Sequence, residues 1–196
     1  MRGRPPIFWL NLAVKASLVA LLLFGVFSGL ERFEGKAFAG RALAYPFSAI
    51  VVPIGWWIVA RRRVEPQPYP YALDILLVLP FLIDTAGNAL DLYDTIDWWD
   101  DLNHFVNWGI LTSAFAQLLL RLPLGRLNTA ALALGFGALT AVLWEFAEYF
   151  TFIRGSAEEE TAYTDTLGDL ALGCTGSLVA AVLAGTVLWS RAHRSP

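Results

Sequence analysis

Four groups of polar residues recur at helical spacing inside otherwise apolar stretches of the chain. Asp84, Asn88 and Asp91 step by four and three, as do Asp97, Asp100, Asp101, His104 and Asn107; Glu145 and Glu148 are three apart, and Asp165 and Asp169 four apart. Steps of three and four keep side chains on one face of a helix. Each carboxylate placed in a bilayer core costs about 2.5–3.5 kcal/mol on the insertion scale, so such residues point to function by default. If antiparallel helices joined by short loops bring these ends together, the anions need basic partners, protons or a bound cation. The helices concerned bring no Lys or Arg to that level, and only the loop residues Arg32, Lys36, Arg41 and Arg154 could serve. A divalent metal or protonated carboxyls are the favoured solutions. Sparse His and abundant carboxylates suit Mg²⁺, Mn²⁺, Ca²⁺ or Fe²⁺ better than a structural Zn²⁺ site, with the ion's identity open among all five.

The candidate ligands are His104, Glu145, Glu148, Asp165 and Asp169. Asp100 and Glu148 are the candidate catalytic carboxylates, and Asp84, Asn88, Asp101 and Asn107 form the surrounding polar pocket. Simpler roles exist for single residues. Asp100 or Asp101 could cap the fourth helix and Asp165 the sixth, each cap contributing about 1 kcal/mol; Glu158, Glu159 and Glu160 read as a solvated turn. Capping does not explain Glu145, which lies near a helix C-terminus where the macrodipole disfavours an anion.

The elements that must position these residues are membrane helices. Of 196 residues, 57% are hydrophobic and only 16% charged, with mean hydropathy +0.54. Globular domains are about 45–50% apolar and about 25% charged, so the excess needs lipid. Six stretches approach the roughly 20 apolar residues that a bilayer asks for: about 7–30, 42–60, 69–90, 102–120, 127–150 and 165–190. The third is the weakest, since it carries Asp74, Pro80 and Asp84. Lys and Arg are retained on the cytoplasmic side. With the N-terminus inside, the inner ends hold Arg2, Arg4, Lys15, Arg61, Arg62, Arg63, Arg121, Arg126, Arg191 and Arg194, against Arg32, Lys36, Arg41 and Arg154 outside. The expected fold is an all-α polytopic bundle of six transmembrane helices, a single integral domain with both termini inside. All four polar sets then lie at outer helix ends. The first segment imitates a signal peptide through Arg2, Arg4 and Ala37-Phe38-Ala39, but the charged residues Glu31 to Lys36 intervene and cleavage is not expected.

Other classes are excluded by composition. A net charge of −3 and aromatics confined to apolar runs leave no footprint for nucleic acid. One cysteine, Cys174, allows neither an internal disulfide nor a Cys-built zinc site. Asp74 is expected to reach the cytoplasmic interface, with nothing polar on the other helices expected to meet it at that depth. Gly173 and Gly176 continue the face of Asp165 and Asp169 and suit close helix packing.

Three segments, Asp100-Asp101-Leu102-Asn103-His104-Phe105, Trp144-Glu145-Phe146-Ala147-Glu148-Tyr149 and Tyr163-Thr164-Asp165-Thr166-Leu167-Gly168-Asp169-Leu170, together resemble the YjdF-like inner-membrane proteins of bacteria, a family without an established activity. The resemblance covers about residues 93–182. The Gly-Thr-Gln-Gly-Asp segment that often precedes the Asp-Thr pair in that family is replaced here by Glu158-Glu159-Glu160-Thr161-Ala162-Tyr163-Thr164. The helical acids carry over; the loop contacts do not. A looser similarity to VanZ-like membrane proteins lies in the Asp-x-x-x-His and later Asp and Gly positions, with Leu172 where an Asn is expected.

Two functions follow as expectations for a multi-pass inner-membrane protein surrounded by lipid. One is a metal-dependent enzyme hydrolysing or transferring a phosphorylated or lipid-linked substrate at the outer face. The other is a proton- or cation-coupled transporter or ion-binding protein, in which Asp74 and Asp84 extend the polar path inward. A purely structural role leaves Glu145 unexplained. The orientation is checked with cysteines placed at Thr95 and Ser156 in a Cys174→Ala background. An impermeant thiol reagent should label both in cells whose outer membrane alone is permeabilised, and protection of both until the inner membrane is lysed would overturn the topology.

Overall fold

The computed structural model describes residues 4–62, 65 and 68–193; Arg2, Arg63 and Arg194, three of the cations used for orientation, lie outside the described residues, as does the Glu158 side chain. Every regular element among the described residues is helical: α1 (Pro6–Phe27), α2 (Phe38–Ala44), α3 (Pro46–Ala60), α4 (Tyr71–Ala89), α5 (Leu92–Thr95), α6 (Trp99–Leu119), α7 (Arg126–Glu148), α8 (Ala162–Leu183) and α9 (Trp189–Ala192). Five stretches are long and apolar enough to cross a membrane: Pro6–Phe27, Phe38–Ala60, Tyr71–Ala89, Arg126–Thr151 and Ala162–Ala192. The third predicted span is among them. The weak one is instead α6, whose 21 residues suffice in length at about 1.5 Å per residue but whose first turns carry Asp100, Asp101, Asn103, His104 and Asn107.

Burial is inverted relative to a soluble domain. Asp74, Thr85, Thr112, Thr129 and Ser177 are fully buried, whereas Phe27, Leu43, Phe47, Leu127, Leu139 and Phe150 stand on the surface. Polar groups must satisfy one another inside when the surroundings are lipid. Thr85 and Thr129 accordingly donate to the carbonyls of Phe81 and Gly125, four residues back in their own helices.

The chain forms two compact units, Met1–Asp97 and Trp98–Pro196. In the first, α1 and α4 run in the same direction. Asn11, Leu18 and Leu22, spaced seven and four apart, are buried on α1, with Lys15 partly buried on the same face, while Leu73, Asp74 and Val78 are buried on α4. Asp74 is fully buried and, contrary to expectation, polar groups from another helix meet it. Its Oδ2 accepts from Asn11 Nδ2 at 3.0 Å and Lys15 Nζ at 2.6 Å, and the Tyr69 hydroxyl donates to the same oxygen. The expectation failed because Asn11 and Lys15 lie one turn apart on α1, and only the parallel register of α1 and α4 puts that turn beside Asp74.

The opposite end of α4 is held by loop cations. Arg32 Nη2 donates to the Ala89 carbonyl at 2.7 Å and Lys36 Nζ to that of Asn88 at 3.3 Å, in the last turn, where cations suit the helix dipole. Lys36 also pairs with Asp91 and Asp94 and, by that hydrogen bond, holds the Asp91 carboxyl below the usual carboxylate range. Asp91 has left the helix, with a left-handed φ of 59°, so the run from Asp84 does not continue on one face.

A buried ion pair broken on one side costs about 3–5 kcal/mol, whereas replacing both partners with apolar residues can be neutral. Lys15→Met should therefore lower unfolding stability in detergent by about 3 kcal/mol, and Lys15→Met with Asp74→Leu should recover at least half of that loss. A double variant no more stable than the single one would show that the pair does not carry the α1–α4 contact.

Candidate functional site

In the second unit, three helices meet along stripes that step by four. These are Asp100, His104, Trp108, Thr112 and Ala116 on α6; Thr129, Ala133, Gly137, Ala141 and Glu145 on α7; and Asp169, Gly173, Ser177 and Ala181 on α8. The ionisable residues stand at one end and small ones follow. That composition sets the approach distance, since small residues let helix backbones come together in lipid. A Cβ on Gly176 would lie 2.0 Å from the Phe105 carbonyl oxygen, and one on Gly137 would lie 2.3 Å from Ser177 Oγ and 2.4 Å from Thr112 Oγ1. Thr112 Oγ1 donates to Ser177 Oγ at 3.1 Å, closing the three-helix contact. Trp108 is buried one turn below His104, and its ring lies on Gly173, whose added Cβ would stand 2.5 Å from Cδ1.

Above Trp108 the helices converge on His104. Its Nε2 is 3.7 Å from Asp100 Oδ1 and 3.6 Å from Asp169 Oδ1, and its Nδ1 is 3.6 Å from Glu145 Oε1. His104 and Glu145 are each 6% exposed and Asp169 5%, whereas the Asp100 side chain is 46% exposed. Two groupings bring ligand atoms within 4.8 Å of one another, Asp100 with His104 and Asp169, and His104 with Glu145 and Glu148. The contacts are too long for N–H···O hydrogen bonds of about 2.7–3.2 Å. They are close to the roughly 3–3.5 Å that separates two ligand atoms each about 2.0–2.4 Å from one ion. His104 Nδ1 and Glu145 Oε1 are buried with no hydrogen-bond partner, and among the described residues no Lys or Arg pairs with Glu145 or Asp169. Thr166 offers its hydroxyl to Glu145.

The remaining predicted residues fall elsewhere. Asp165 and Asp101 are exposed and line an open cleft with Glu160, Thr161, Thr164 and Gly168, outside both ligand groupings. Asn107 is half-buried and donates to Asn103 Oδ1 at 3.1 Å. Asp84 and Asn88 are engaged within the first unit. Asp84 accepts from Arg41 Nε at 2.9 Å and from the hydroxyls of Tyr45 and Tyr93 at 2.7 and 3.1 Å, and Asn88 donates to it at 3.2 Å. The capping roles are not seen either. Trp98 and Thr161 stand at the N-caps of α6 and α8 without side-chain cap bonds, and Asp100, Asp101 and Asp165 lie in the first turns, where the helix dipole favours anions.

Two of the four loop cations lie beside carboxylates outside the cluster. Lys36 pairs with Asp91 and Asp94. Arg154 stands near Glu159, whose carboxyl is held below the usual range first by the Gly155 amide and then by the Tyr149 hydroxyl. Part of the expected solvated turn is thus an ordered connection between α7 and α8. Sequence reasoning missed Trp108, Thr112 and Ser177. Stepping by four from His104 and from Asp169 reaches all three.

The chain belongs to the family described as predicted membrane protein (DUF2238), whose profile matches residues 12–190. The YjdF-like resemblance is consistent with that membership. An uncharacterised protein of Thermotoga maritima is 28% identical over 125 residues, 58% of this chain, and the match spans 63% of that relative's length. No solved structure matches the chain.

The glycine contacts generate a paired test. Gly176→Ala, facing a backbone carbonyl that no rotamer change can move, should destabilise by about 1–3 kcal/mol. Gly168→Ala, also within α8 but with nothing within 4 Å of an added Cβ, should be neutral or stabilise by up to about 1 kcal/mol. Equal effects in thermal unfolding would show that α6 and α8 do not touch at Gly176.

Proposed function

We propose that the chain is a six-span inner-membrane protein, one integral domain with both termini inside, whose acid-rich end in the second unit faces outward and holds a divalent cation. The observation that carries this reading is the buried pair His104 Nδ1 and Glu145 Oε1, neither with a hydrogen-bond partner among the described residues, beside Asp169, with no Lys or Arg of those residues paired to Glu145 or Asp169. The ligands come from Asp100, His104, Glu145, Glu148 and Asp169, with Asp165 one turn outward on α8. The reaction is hydrolysis or transfer on a phosphorylated or lipid-linked substrate reaching the site from the outer leaflet. Such an ion supplies Lewis-acid polarisation and a more acidic bound water. Asp100, the half-exposed member, would take a proton from an attacking water, and a protonated Glu148 would return one to the leaving group. With Lys36 and Arg154 engaged elsewhere, an anionic substrate group would depend on the ion for its binding.

Two observations weigh against transport. The polar stripe is interrupted by Trp108 packed on Gly173, and below it Ala116, Leu119, Ala133, Ala181 and Ala184 form an apolar core. In the first unit, Asp74 and Asp84 each have basic and hydroxyl partners that account for them without a moving ion.

Purified wild type should carry about one divalent ion per chain by elemental analysis, gain thermal stability from it by mass action, and lose both in Asp169→Asn. Wild type that retains no metal and melts unchanged with Mg²⁺, Mn²⁺, Ca²⁺, Zn²⁺ or Fe²⁺ would leave a protonic site instead.

A further inference from the structure

The two faces of the His104 ring are not equivalent. Nε2 looks toward Asp100 Oδ1 on its own helix and Asp169 Oδ1 on α8, so three donor atoms from two helices converge on that side. Nδ1 looks toward Glu145 Oε1 on α7, and those two atoms are the buried ones left without a hydrogen bond. A neutral imidazole has one lone pair for a metal and one N–H to place. Closing 3.6 Å to about 2.9 Å would satisfy both buried atoms with one hydrogen bond.

Building on the reading of this cluster as a cation site, we infer that a single ion sits on the Nε2 side of His104, held by His104, Asp100 and Asp169. Glu145 is a positioning residue that accepts the Nδ1–H bond and fixes the ring's tautomer and direction. The carboxylate–histidine–metal arrangement is the usual way a buried ligand is oriented. Exposure agrees with the assignment. The Nε2 side opens at Asp100, 46% exposed, where an ion can enter and keep free coordination positions for water or substrate, whereas on the other side Glu145 is 6% exposed, with the half-buried Glu148 a turn further along α7. One imidazole and two carboxylates also narrow the ion. Ca²⁺ and Mg²⁺ prefer all-oxygen shells of six or more ligands, while Mn²⁺, Fe²⁺ and Zn²⁺ accept imidazole and tolerate three protein ligands. The ligand class is a first-row divalent transition metal.

The test uses the full chain in detergent with Mn²⁺ and Zn²⁺ as probes. Mn²⁺ titrations followed by electron paramagnetic resonance should show one site in wild type, lost in Asp169→Asn and in Asp100→Asn. In Glu145→Gln, whose amide oxygen can still accept the Nδ1 proton, the site should persist with affinity about 10- to 100-fold weaker. Glu145→Leu should be weaker still. Metal-free melting curves establish that each variant is folded. A second measurement needs no variant at the site. Long-range ¹H–¹⁵N correlation of histidine-labelled, Zn²⁺-loaded protein should show His104 with a protonated Nδ1 and a metal-bound Nε2, His193 being assigned through His193→Gln. Zinc on Nδ1, or Glu145→Gln losing the ion as fully as Asp169→Asn while Asp100→Asn keeps it, would overturn the assignment and leave the cation site standing. Absence of any bound ion in wild type would overturn both.

Discussion

A membrane protein has no bulk water with which to satisfy a polar group in its interior, so each buried carboxylate must find its partner within the protein or in something it binds. The two units meet this constraint differently. Asp74 has Lys15, Asn11 and Tyr69, and Asp84 has Arg41, Tyr45, Tyr93 and Asn88. Each of those acids has a cation beside it, although every partner of Asp74 falls on Oδ2 and its buried Oδ1 accepts no hydrogen bond among the described residues. Glu145 and Asp169 are as deeply buried and face one imidazole instead of a base. The difference separates carboxylates paired with a base from those that are candidates for a site.

Holding three helices close enough for that site depends on what lies below it. Gly176 admits the Phe105 carbonyl, Gly173 the ring of Trp108, and Gly137 the Thr112–Ser177 hydrogen bond. None of these contacts involves a ligand atom, yet each sets the distance between His104 and the acids opposite it. Lipid provides no hydrophobic drive between helices, so close packing and interhelical hydrogen bonds take that role. Trp108 has a further consequence. By lying across the stripe it separates the ionisable end from the alanine-lined core.

The membership in a family of predicted membrane proteins agrees with the inverted burial and the helical spans, and neither source names a substrate. The chemistry must be read from the cluster itself. There, an imidazole is flanked by carboxylates at 3.6–3.7 Å, buried and, among the described residues, without a Lys or Arg paired to Glu145 or Asp169, which is the ground for the proposed ion. The two sides of the ring differ in what they face, two carboxylates at Nε2 and one at Nδ1.

Much of this was legible in the chain alone. Hydropathy marks membrane helices because lipid selects apolar runs of fixed length, and steps of three and four put His104, Glu145 and Asp169 on helix faces because the helical period does so. Their assembly could be expected, since short loops make neighbouring helices antiparallel and bring alternate ends together. What periodicity could not supply was register and azimuth. It could not show that Lys15 meets Asp74, which depends on two helices distant in sequence running parallel at one particular offset. Nor could it separate Asp84 from the site, because a face on one helix does not say which neighbour it meets. Asp165 and Asp169 share a face one turn apart, but only Asp169 reaches His104, because close approach at Gly176 sets the height of α8 against α6. Local spacing is a property of one helix, whereas partners are chosen by the packing of several, and that choice is made only in the tertiary structure.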